Sequence, residues 1–189
     1  MFDTHIHINI TNIDVVQFKK RLKKAGVRDA VLFSLPPDCF FTAKEKLSPK
    51  KRLDNLMKWC EGDENLHPFF WLDPIAGDAE EQVSAALKRK VGGFKVICDR
   101  FYPSDKRAMP VFKMIAGSGK PILFHSGILW DGKVSSKYNH PIEFECLLDV
   151  PRLRFALAHV SWPWCDELIA LYGKILNAYS RNPEISVEM

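Results

Sequence analysis

Within the first eight residues, Asp3, His5 and His7 recur at every second position and alternate with Phe2, Thr4, Ile6 and Ile8. Successive side chains of a β-strand point to opposite faces. The spacing therefore predicts one face that carries the aspartate and both imidazoles, and another that carries the apolar set. Imidazole is a common ligand of zinc and similar transition metals, and two rings at i and i+2 on a rigid strand can converge on one ion. A bound divalent ion lowers the pKa of its water to about 7 and polarises a carbonyl oxygen, which is the chemistry of hydrolysis. Alone, the pattern also describes a polar edge strand. What favours the metal is its company: His125 and His159 each close an apolar run further along the chain, and Lys95 lies inside another.

Those runs define the elements that would position the site. Ala30 to Leu35 is nearly continuously apolar and ends at Pro36-Pro37, as expected of a strand buried on both faces of a parallel sheet. Strands are also predicted at His67–Leu72, Phe94–Cys98, Pro121–His125, Leu153–His159 and, seventh, Glu184–Glu188. Between them lie helical patterns: Val15, Phe18, Leu22 and Ala25, capped by Thr11 or Asn12; Leu53 to Cys60; Val83 to Leu87, capped by Asp78; Val111 to Ile115; a short helix from Pro141; and Leu168 to Ile175. Residues 127–139 read as a loop. Strand-helix units about every 30 residues are the signature of βαβ architecture. With His7, His125 and His159 at C-terminal strand ends, a barrel brings them to one mouth, whereas an open sheet spreads them apart. No glycine-rich phosphate loop follows strand one, where the chain reads Ile8-Asn9-Ile10-Thr11.

Composition narrows the functional classes. The chain has 189 residues, 47% of them hydrophobic and 26% charged, with a net charge of +4. This fits one globular domain over residues 1–189. The basic clusters at 19–24 and 50–52 sit in helical patterns and read as solvated faces, so no nucleic-acid partner is expected. Five cysteines without a C-x-x-C pair favour a reduced, cytoplasmic setting over a cysteine zinc site. No apolar run is long enough for a membrane span.

Taken together, Phe-Asp-Thr-His-Ile-His, Gly-Gly-Phe-Lys-Val, Pro-Ile-Leu-Phe-His-Ser-Gly and Ala-His-Val-Ser-Trp resemble the strand motifs of the amidohydrolase superfamily, most closely its metal-dependent hydrolase and decarboxylase branch. The resemblance implies an α/β fold of the distorted (β/α)8 TIM-barrel type binding a divalent metal such as zinc. It implies His5, His7 and His125 as metal ligands, and Asp3 as a support behind them. It makes His159 either a ligand of a second metal or a hydrogen-bonding group for substrate. Lys95 carries a carboxylate that bridges two metals in some relatives and stays unmodified in others. Arg100, just after strand four, has the fork geometry to take a substrate carboxylate, with a surface role as the alternative. Trp130, Trp162 and Trp164 either wall an apolar pocket at the mouth or pack in the core. His67 and His140 read as structural.

The family pattern ends with an aspartate on strand eight, and this sequence ends in or just after strand seven. A complete barrel of this type has about 250 residues. The expectation is thus an incomplete barrel, with edges through which copies of the chain can associate. The expected activity is hydrolysis of a small organic acid, lactone or amide. Decarboxylation by the same kind of centre, a TatD-type deoxyribonuclease and a catalytically incomplete fragment are the competing readings. The deoxyribonuclease ranks lower, because that group normally presents glutamate on strand four, where Lys95 stands.

Overall fold

The computed structural model describes residues 1–8, 14–43 and 46–182. Six strands, β1 (Phe2–His7), β2 (Asp29–Phe33), β3 (Leu66–Trp71), β4 (Gly93–Val96), β5 (Ile122–Phe124) and β6 (Phe155–Leu157), form one sheet. They are all parallel and stand side by side in chain order. Five α-helices alternate with them: α1 (Val15–Lys24), α2 (Pro49–Cys60), α3 (Ala79–Lys88), α4 (Ala108–Gly117) and α5 (Cys165–Arg181). Parallel neighbours in unbroken sequence order, each joined by a helical crossover, make an incomplete (β/α)8 barrel of the TIM type. Among the described residues no helix is long and apolar enough to cross a membrane. The expected seventh strand at 184–188 and the expected caps at Thr11 and Asn12 lie outside the described residues.

Helices form where their apolar stripe meets the outer face of the sheet. In α4, Ala108, Val111, Phe112 and Ile115 recur at helical spacing and are all buried. The Phe112 ring meets Phe124 of β5 edge-on at 5.3 Å. Helix α1 is capped by Asp14, whose carboxylate accepts from the Gln17 N–H at 2.8 Å. Asp78 precedes α3 as expected, but its carboxylate takes the Gln82 side-chain amide at 2.7 Å in place of a backbone N–H. The segment from Pro141 to Asp149 is a 3-10 helix. Strands β5 and β6 are each three residues long, so His125 and His159 stand just beyond them.

The regular alternation expected of β1 is broken. Asp3 pairs with Ala30 and His7 with Phe33, so three steps on β2 face four on β1. The register shift between Asp3 and Ile6 is a one-residue bulge. Ala30 and Phe33 lie on opposite faces of β2, and Asp3 and His7 therefore do too. Phe2 and Thr4, expected with Ile6 and Ile8, line an inner cavity of about 350 Å³ at the barrel floor beside Val31 and Phe69. Ile6 pairs with Leu32 and packs on the outer core. Gly93 of β4 leaves room at this floor, because a Cβ there would run into the Phe69 ring.

Candidate metal centre

The bulge on β1 shapes the site. Its extra residue frees a backbone donor, and the Asp3 carboxylate accepts the His5 backbone N–H at 3.0 Å. Asp3 thus braces the turn of the strand that carries both histidines. Beyond it, His5 and His7 bring their Nε2 atoms to 3.1 Å from one another. Two nitrogens bound tetrahedrally to one zinc ion at about 2.0–2.1 Å lie about 3.3 Å apart. Both rings pack against Phe33 of β2, and His7 also against Trp71 of β3.

The other histidines join this pair. His159 lies 4.7 Å from His5 between ring centroids, and His125 lies 5.0 Å from His159. His7, His5, His159 and His125 therefore form a continuous row at the barrel mouth. The His125 Nε2 hydrogen-bonds the Ile128 carbonyl at 3.3 Å, so in the neutral ring Nδ1 carries the lone pair. Among the described residues no three histidine, cysteine or carboxylate side chains converge as a ready-made metal site. The structure thus brings two imidazole nitrogens to a separation that one ion could span.

Electrostatics keeps the row uncharged. Burial, and then the charge of Lys95, lower His5 to about 3 and His125 to about 3. The same causes in the same order lower His7 to about 4, and they also lower His159. At neutral pH His5, His7 and His125 are therefore uncharged, and in the metal-free pair one Nε2–H donates to the other Nε2. Lys95 is fully buried, its Nζ has no hydrogen-bond partner among the described residues, and burial drops it to about 7. Its ammonium group lies 5.3 Å from the centre of the Phe33 ring. A buried amine without a partner is costly to keep charged, so its neutral form competes on even terms near pH 7.

The remaining expected residues occupy the rim. Arg100 donates to Asp73 at 2.5 Å and to Asp99 at 2.8 Å, so two of its five N–H groups are engaged by carboxylates of its own chain. Cys39 also donates to Asp73. Trp130 and Trp162 stand nearly parallel, 14° apart with centroids at 6.4 Å, and are 77% and 56% exposed. Trp164 stacks instead on His140, which contacts Glu167. His67 meets Phe2 at the floor, at the opposite end from the histidine row.

Sequence reasoning missed several participants. Phe40, Trp71, Ile97 and Leu129 form a separate buried cluster at the mouth, with Trp71 against His7. His159, Val160 and Ser161 all have positive φ, at 65°, 50° and 53°. Such a left-handed run of non-glycine residues, one of them β-branched, costs of order 1 kcal/mol or more per residue. It persists only where surrounding contacts hold it. It bends the chain abruptly after β6, beside the histidine row.

No family model and no curated protein matches this chain. Solved structures share its fold. A probable 2-pyrone-4,6-dicarboxylic acid hydrolase from Acinetobacter baumannii, with citric acid bound, superposes with a TM-score of 0.59 at 10% identity, over 90% of this chain and 65% of that one. A monomeric dihydrodipicolinate synthase variant gives 0.56 at 14%, over 98% and 61%. A TatD-like protein from Archaeoglobus fulgidus gives 0.55 at 18%, over 90% and 73%. The chain thus spans under two thirds of the first two of these proteins. At such identities the likeness establishes the barrel-type fold.

Proposed function

We propose that this chain is the metal-binding part of a metal-dependent hydrolase acting on a small organic acid, lactone or amide. The observation that carries the reading is the His5–His7 pair, with Nε2 atoms at 3.1 Å and rings held neutral by burial. His5 and His7 would hold a divalent ion such as zinc, with His125 as the third ligand. That ion would supply an activated water and a polarised carbonyl. The chain's own residues do the rest. Asp3 fixes the bulge, and Phe33 and Trp71 hold the imidazole planes. His159 is neutral and exposed at the rim, where it can take and return a proton from a bound substrate. Lys95, near its neutral form, can donate a hydrogen bond without adding a full positive charge beside the ion. Trp130 and Trp162 offer an apolar wall on the open side.

The test is hydrolysis of a panel of lactones, amides and carboxylated ring esters by zinc-loaded and chelator-treated protein. The reading expects zinc-dependent turnover that His159→Asn lowers roughly a hundredfold or more. Turnover that is equal with and without zinc, or absent from a zinc-loaded chain, would reject it.

A further inference from the structure

Ser126 and Ser161 are fully buried, each sits within two residues of a histidine of the row, and they are bonded to each other. The Ser161 hydroxyl donates to the Ser126 Oγ at 2.8 Å, and the Ser126 hydroxyl donates to the Asn139 carbonyl at 3.1 Å. The Asn139 side-chain amide continues the path to the Cys98 carbonyl at 2.8 Å, two residues beyond β4. One buried polar chain thereby joins the C-terminal ends of β4, β5 and β6. Two backbone bonds run beside it: Gly127 N–H to the Asn139 carbonyl at 2.9 Å, and Ile128 N–H to the Trp162 carbonyl at 3.0 Å. Gly127, at φ 100°, allows this approach, because a Cβ there would run into the Trp162 carbonyl oxygen.

We propose that the Ser161–Ser126–Asn139 chain is the positioning device of the site, holding His125 and His159 at one fixed ring separation. The inference rests on the metal-centre reading for its purpose, but its geometry does not need a metal. The left-handed run at His159–Ser161 turns the chain sharply after β6, and β6 pairs with β5 only up to Leu157. Beyond that point nothing in the sheet ladder relates His159 to His125. The Ser161–Ser126 bond ties the two segments together past the ladder, and both groups are shielded from competing water. Among the described residues neither serine hydroxyl hydrogen-bonds a histidine ring, so both act through the backbone that carries one.

Ser126→Ala, Ser161→Ala and Ser161→Gly test this. Glycine accepts the positive φ at position 161 without strain, so Ser161→Gly recovers folding stability relative to Ser161→Ala while still lacking the hydroxyl. The readouts are ring-to-ring cross-relaxation between His125 and His159 by NMR on metal-free protein, and zinc affinity by titration. All three variants are expected to lose the ring contact and to bind zinc roughly ten- to a hundredfold more weakly. Wild-type ring contacts in Ser126→Ala and Ser161→Gly would overturn the proposal, leaving the serines a purely structural role. If the wild-type chain binds no zinc, the proposed function fails, and the metal-free ring contacts still decide the positioning claim.

Discussion

His5 and His7 meet through their Nε2 atoms at 3.1 Å, although a bulge has placed Asp3, two residues earlier, on the other face of the same strand. The irregularity of β1 thus sets the face on which the pair stands, and the Asp3 carboxylate bonded to the His5 N–H at 3.0 Å stabilises that irregularity. Asp3→Ala should cost about 1 kcal/mol of stability and weaken zinc binding roughly tenfold, whereas Asp3→Asn keeps an acceptor and should stay near wild type. Thermal melts and zinc titrations of the two variants check this. Equal zinc affinity in Asp3→Ala and wild type would remove Asp3 from the site.

The strands that lead to His125 and His159 were legible because an apolar run closed by a polar residue, recurring between helical patterns, is what a parallel strand buried on both faces requires. The bulge was not, since one inserted residue leaves the i, i+2 spacing of His5 and His7 intact while reversing Asp3. The left-handed turn at His159–Ser161 was hidden for the opposite reason. Valine and serine disfavour that conformation, so local preference argues against what tertiary contacts impose. Ser126 and Ser161 look like ordinary loop residues, and only a contact 35 positions apart gives them meaning.

Acidification should destabilise the metal-free protein in two stages. Lys95 falls from 10.5 to about 7 on folding, so the unfolded chain binds its proton first and stability drops as pH falls from about 10 to 7. His5, His7 and His125 fall from 6.5 to between about 3 and about 4, so a second loss runs from pH 6.5 down through that range. Lys95→Met should remove the first stage and raise the melting temperature at pH 7. Melting curves of both proteins from pH 10 to 4 measure this; an unchanged upper stage in Lys95→Met would contradict the assignment.

The parallel Trp130–Trp162 pair should bind flat, unsaturated rings better than their saturated counterparts. Replacing either with alanine should raise the dissociation constant of a ring carboxylate roughly three- to tenfold, read as loss of indole fluorescence quenching. Identical affinity for planar and saturated rings would leave the pair without a recognition role.

Among the described residues, β1 pairs only with β2 and β6 only with β5, and Phe2 on β1 is 52% exposed. Such edges favour pairing with another copy of the chain. Light scattering should show concentration-dependent association, and Thr4→Lys, which places a charge on the β1 edge, should reduce it. A wild-type chain that stays monomeric at high concentration would contradict this.

His5 and His7 are expected to bind one ion together. Elemental analysis of protein purified with zinc should find about one ion per chain in wild type and almost none after His5→Ala and His7→Ala are combined, with the same circular dichroism. Undiminished zinc in the double variant would contradict the claim.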